Sequence, residues 1–208
     1  MSSTADTSVI TRELIDNAMT YEEYSNLVDR LMEEGKTTSG HTDEQMLHYS
    51  TMNQHRMKRL DKTVKLDEEL EQRLQDVATP MIWLVLSEGW CGDAAQNLPV
   101  IKKMADTNDA IDLRIILREE NLDVMDQYLT NGGRSIPKLV ALNADTLEEL
   151  GTWGPRPEPA QQLYEEGKSE EGRTKKEIAK EIQKWYSKDK GKTVQEELRP
   201  LIEQWDNQ

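Results

Sequence analysis

The chain has 208 residues, enough to bury one sizeable core, and its 36% apolar residues fall in patterned runs that mark a folded protein. A net charge of −14 repels phosphate backbones and anionic membrane surfaces, which argues against non-specific nucleic-acid or membrane partners. The opening MSSTADTSVITRELIDNAM has no basic flank followed by an apolar stretch, and no window approaches the roughly 18 apolar residues of a membrane span. A single cysteine, Cys91, precludes an internal disulfide. A cytoplasmic location is expected.

In chain order, Leu14, Ile15, Ala18, Leu27, Val28 and Leu31 recur at helical spacing between Thr11 and about Gly35, and Thr20 with Glu23 makes a capping box, so two helices are expected. After the break at Lys36 to Gly40, Thr42 is expected to cap a helix through about Leu60, and Leu66 to Val77 reads as another, ended by Pro80. The pattern then changes. Met81 to Leu86 and Ile111 to Leu117 are apolar runs of strand length, separated by a helix-length segment from Cys91 to Ala105, which together make a βαβ unit. A short helix at Leu122 to Leu129, the turn Asn131-Gly132-Gly133, a strand at Lys138 to Leu142 and a last strand within Leu147 to Trp153 follow.

Gly154-Pro-Arg-Pro-Glu-Pro159 stops that strand and opens a helical tail from Ala160 to about Tyr186, with an interruption expected at Gly167 to Gly172. Thr193 and Glu196 form another capping box for a final helix to about Trp205, with Pro200 as a kink or split point. Trp185, Leu198, Leu201, Ile202 and Trp205 are expected to dock on the sheet. Three segments result: helices over 1–75, a core over 76–165, and C-terminal helices packed on that core over 166–208.

Cys91 stands where a strand passes into a helix. Unpaired N–H groups and the positive end of the helix dipole favour the thiolate there, while Glu88 and Asp93 oppose it. Asp93 is read either as a proton acceptor for the thiol or as a first-turn carboxylate satisfying N–H groups. Arg134 and Arg156, on loops, either lower the thiol's pKa and hold a substrate carboxylate or stabilise their own loops. Arg56 and Arg59 are expected to pair with the protein's own carboxylates. His41, His48 and His55, seven residues apart and so about 10 Å between neighbours on a helix, are too far apart to share a metal, and neither a metal nor another cofactor is expected.

Trp90-Cys91-Gly92, Pro99 eight residues after the cysteine, and the distant Ile136-Pro137 resemble the thioredoxin superfamily, whose site reads W-C-G-P-C with a helix-kinking proline and a cis-proline facing the cysteine. Trp-Cys-Gly-Asp-Ala, Gly-Gly-Arg-Ser-Ile-Pro and Trp-Gly-Pro-Arg-Pro are similar to a group of bacterial thioredoxin-like proteins. That likeness extends to Arg56–Lys62 and Lys184–Lys190. The resemblance implies an α/β thioredoxin-like fold: a mixed sheet of about four strands flanked by helices, with helical extensions at both ends. It further implies that Ile136 and Pro137 form an edge for an extended substrate, with Trp90, Gly92 and Trp153 around the thiol.

The departures are Asp93 for the motif's proline and Ala94 for its second cysteine. Without a resolving thiol, Cys91 could complete only the first half of disulfide exchange. The first expectation is therefore a monothiol thiol-disulfide oxidoreductase acting on a protein or low-molecular-weight disulfide, with an external thiol resolving the product. The alternative is a non-catalytic module that holds a peptide or protein in the thioredoxin groove. A weaker third is a dimer bridging an iron–sulfur cluster through Cys91. The sequence leaves the oligomeric state open.

Overall fold

The N-terminal helical spacing appears in the computed structural model, which describes residues 9–208, as α1 (Arg12–Asn17), α2 (Tyr21–Glu33), α3 (Glu44–Thr63) and α4 (Glu68–Gln75). The start of the segment expected over 1–75, residues 1–8, lies outside the described residues, as does the beginning of the stretch read for a leader. The Thr20–Glu23 capping box forms in full. The cap expected from Thr42 falls one residue later: Asp43 accepts the N–H of Met46, and a carboxylate there also meets the positive end of the helix.

β1 (Met81–Ser87) is buried along its whole length, as a strand paired on both sides and covered on both faces should be. The chain crosses through α5 (Gly92–Ala105) to β2 (Ile111–Leu117), parallel to β1, and passes a short helical turn and α6 (Leu122–Met125). It returns through β3 (Lys138–Asn143) and β4 (Glu149–Trp153), both in antiparallel pairings. The sheet order is β2-β1-β3-β4. This is the expected mixed sheet of four strands, and the parallel pair requires the helical crossover that begins at Cys91.

The tail forms α7 (Glu158–Ser169), α8 (Lys175–Asp189) and α9 (Lys192–Asp206); the α7–α8 break at 170–174 takes in Gly172, while Gly167, also expected there, lies inside α7. Two expectations for α9 fail. The Thr193–Glu196 box is absent, because Gly191 is the cap and Asp189 accepts the Thr193 N–H at 3.2 Å. Nor does Pro200 split the helix: Val194, Leu198, Ile202 and Trp205 are fully buried, and at about 1.5–3 kcal/mol each their burial outweighs the roughly 3 kcal/mol cost of an interior proline.

Trp205 meets Trp83 of β1 edge-on, with ring centroids 6.0 Å apart, and fills the space over Gly151 of β4, where any Cβ would overlap its indole. Trp185 does not join it. It packs with Ala160, Leu163, Tyr164, Ile178, Ile182 and Tyr186 in a second apolar cluster between α7 and α8, apart from the main core. Among the described residues no helix is long and apolar enough to cross a membrane.

Candidate active-site turn

β1 ends at Ser87, and residues 88–91 form a turn closed by the Cys91 N–H donating to the Glu88 carbonyl at 3.0 Å. Cys91 is thereby the N-cap of α5: its Sγ accepts the Ala94 N–H at 3.4 Å and donates its own proton to the Ile136 carbonyl at 3.2 Å. The Ile136–Pro137 peptide is cis, and both residues are buried. Strand pairing explains the meeting, because β1 and β3 are neighbours, with Leu86 opposite Lys138, so the turn after one faces the turn before the other.

Cys91 is only 8% exposed, and burial pushes its pKa up to about 12, with the Asp93 charge adding to the rise. The N–H groups of Ala94 and Asp93 and the Arg156 charge pull the other way without prevailing. The balance between the helix start and the nearby carboxylates, open in the sequence, falls against the thiolate: desolvation of the charged form exceeds what two N–H groups and one guanidinium restore. The resting group is a neutral thiol.

Asp93 neither caps the helix nor reaches the thiol as a hydrogen-bond acceptor. Its Oδ2 accepts from Arg156 Nη2 at 2.6 Å and Nε at 3.1 Å, and its Oδ1 accepts from the Tyr186 hydroxyl at 3.0 Å. Asn97 donates to that hydroxyl at 3.0 Å, Gln96 donates to Gln183 at 2.7 Å, and Arg156 also donates to Gln161 at 2.8 Å while lying over the Tyr164 ring. Gly92 lies beneath Gln183, whose Nε2 would be 2.9 Å from a Cβ placed there and would have to shift. The first turn of α5 is covered by α8.

A second cover comes from the N-terminal side. Ser39 accepts the Trp90 indole N–H at 2.8 Å, Thr38 donates to the buried Glu88 carboxylate, and the other Glu88 oxygen accepts the Glu119 N–H at 3.0 Å. Burial raises the Glu88 pKa despite these donors. Arg118 stacks over Trp90 at 4.9 Å, so that ring is part of a cover.

Two expected site residues lie elsewhere. Arg134 is exposed and forms a two-pronged pair with Asp126 at 2.7 Å. Trp153 donates to Glu197 of α9 at 2.8 Å and is buried in the main core, where it holds α9. Arg56 pairs with no carboxylate among the described residues: it is half-buried, donates to Asn53 at 2.7 Å and comes near Gly92, while Asn53 donates to the Gly89 carbonyl at 3.1 Å. His48 and His55 face solvent on α3, and His41 is exposed ahead of it.

Thr38, Ser39, Asn53, Gln96, Asn97, Gln183 and Tyr186 were not anticipated here. They are ordinary helix and loop residues that reach the turn only through long-range packing. The one sequence signal was the set of flanking segments around Arg56 and Lys184.

A sequence model described as thioredoxin matches residues 39–190. A search of curated proteins finds no match. Similar solved structures include an HIV epitope-scaffold, at 19% identity and a TM-score of 0.56 over 92% of this chain and 96% of that one. Another is a protein of unknown function from Pseudomonas aeruginosa, at 20% identity and a TM-score of 0.54 over 89% and 98%. At these identities the two structures speak for the fold alone. With most of its length under the family match, and its crossover helix opening on Trp90-Cys91-Gly92, the chain belongs to the thioredoxin family.

Proposed function

We propose that this protein works as a thioredoxin-fold binding module, for a protein or peptide partner, in which Cys91 serves as a hydrogen-bond donor and is not turned over. The observation that carries this reading is the buried Cys91 S–H donating to the Ile136 carbonyl at 3.2 Å. A thiol engaged in this way holds the Ile136–Pro137 turn against α5. As a neutral group it is a poor nucleophile, since the thiolate carries disulfide exchange. The absence of a second cysteine fits the same reading.

Monothiol exchange with an external resolving thiol is the second reading. It is favoured by the Ala94 N–H on the sulfur and by the Arg156 charge, both of which would stabilise a thiolate once formed.

Partner capture with wild type and Cys91→Ser decides between them, because serine retains a donor for Ile136. Binding should yield the same partner set from both proteins, and the wild type should not reduce a small mixed disulfide in the presence of glutathione. Disulfide reduction that vanishes in Cys91→Ser, or partners held only through a reducible bond to Cys91, would overturn the binding reading.

A further inference from the structure

The α7–α8 hairpin differs in kind from the other cover on the sheet. Its apolar side chains pack on one another: Ile178, Ile182, Tyr186 and Ala160 are buried in their own cluster, and Gly167 lets Ile178 approach the α7 backbone. What ties it over the first turn of α5 is polar: Tyr186 to Asp93 and Asn97, Gln183 to Gln96, and the Arg156 pair at the base of α7. Such bonds exchange with water at small net cost, unlike the apolar burial that fixes α9. A unit with its own small core and a polar seam is the kind that opens without the rest of the fold.

Both ends of the hairpin meet fixed structure. At its start the Glu158 N–H donates to Glu197 of α9 at 2.7 Å, just after Gly154 at φ 109°. At its end Lys190 and Gly191 turn the chain in left-handed conformations, with Gly191 close against Val100 of α5. The 170–174 connection at the far end is largely exposed, with no side-chain bond to the sheet or to α5.

We propose that the α7–α8 hairpin is a latch over the first turn of α5, beside Cys91, closed by the Asp93–Tyr186–Asn97 and Gln96–Gln183 bonds, and that its opening admits the partner. This rests on the binding reading for the identity of what enters, although the latch itself is tested without a partner. Opening frees Tyr186 and Gln183 from α5, hydrates Asp93 and uncovers the first turn of the helix. No covalent change is needed.

Iodoacetamide labelling of Cys91 at mildly alkaline pH reads access directly. Tyr186→Phe removes the central bond of the seam, and Ile178→Ala weakens the hairpin's own core away from the thiol. Each should speed labelling about five- to tenfold, with amide exchange accelerated across α7 and α8 but unchanged in β1 and β3. Loss of the Tyr186 donor leaves the Asp93 charge less screened, and that charge raises the thiol's pKa, so with the hairpin still closed the substitution would slow labelling. Unchanged labelling in both variants, or a rise matched by faster exchange in β1 and β3, overturns the latch. A latch that opens in a protein whose partners depend on a reducible Cys91 bond would sink the binding reading alone.

Discussion

The Cys91 thiol donates to the Ile136 carbonyl across 45 residues of sequence, joining the turn after β1 to the turn before β3. Burial of this thiol, with the Asp93 charge beside it, sets the protonation state of the chain's one cysteine and gives it a pH signature. The folded thiol's pKa, about 12, lies above the free value of about 8.5, so between these the native state binds more protons than the unfolded state. Stability contributed by this group is complete below about pH 8.5 and is lost as pH rises toward 12. Denaturation midpoints of wild type should fall relative to Cys91→Ser from about pH 8.5 to pH 10. A flat difference across that range counts against the protonated thiol. Tyr21, Tyr24 and Tyr186, also pushed up by burial, add their own loss at higher pH in both proteins.

Glu88 has the same sign at the acid end. Its folded pKa is raised by burial, so its contribution is complete below the unfolded value of about 4.3 and is lost as pH rises through the folded one. Glu88→Gln removes the charge, can still accept the Glu119 N–H and can meet a reversed Thr38 hydroxyl. The variant should gain on wild type as pH rises from about 4.5 to 7, as urea titrations at several pH values would reveal. A variant that instead loses ground over that range contradicts the raised pKa.

The Arg156–Asp93 pair is 10% and 14% exposed, and removing one member leaves a nearly buried charge. Arg156→Gln should cost about 2–4 kcal/mol in chemical denaturation. Arg156→Lys should recover less than half of this, because the guanidinium reaches Asp93 and Gln161 together and an ammonium does not match that fork. Full rescue by lysine would mean that charge alone matters here.

Gly151 lies directly beneath the Trp205 indole. Gly151→Ala should therefore destabilise by about 1–3 kcal/mol through overpacking and shift tryptophan fluorescence. Gly132→Ala, in open space at the surface but at φ 76°, should cost only about 1 kcal/mol from its backbone and leave the fluorescence unchanged. Equal spectra for the two variants would argue against the Trp205 contact.

Most of the elements were legible from local pattern. The all-buried β1 reads as an unbroken apolar run, and Thr20 with Glu23 reads as a capping box because its bonds span three residues. Thr193 and Glu196 have the same spacing and fail, since Asp189 lies one turn earlier and takes the Thr193 N–H first. Trp153 and Arg134 looked like site residues by position in the chain. The face each side chain takes depends on Glu197 and Asp126, partners that no local window names.

By itself, the sequence determined that Cys91 sits at a strand-to-helix turn, that Ile136-Pro137 faces it in the fold the family resemblance implies, and that this chain has no second thiol to resolve a mixed disulfide. The first follows from short-range periodicity, the second from the family resemblance and the third from residue identity. Only the tertiary structure decided how far the cysteine is buried there and what it bonds to. Whether a thiol ionises depends on how much water reaches it, and that is set by α8 through Tyr186 and Gln183 and by the segment around Thr38 and Ser39, which cover the turn from about 90 and about 50 residues away in the chain.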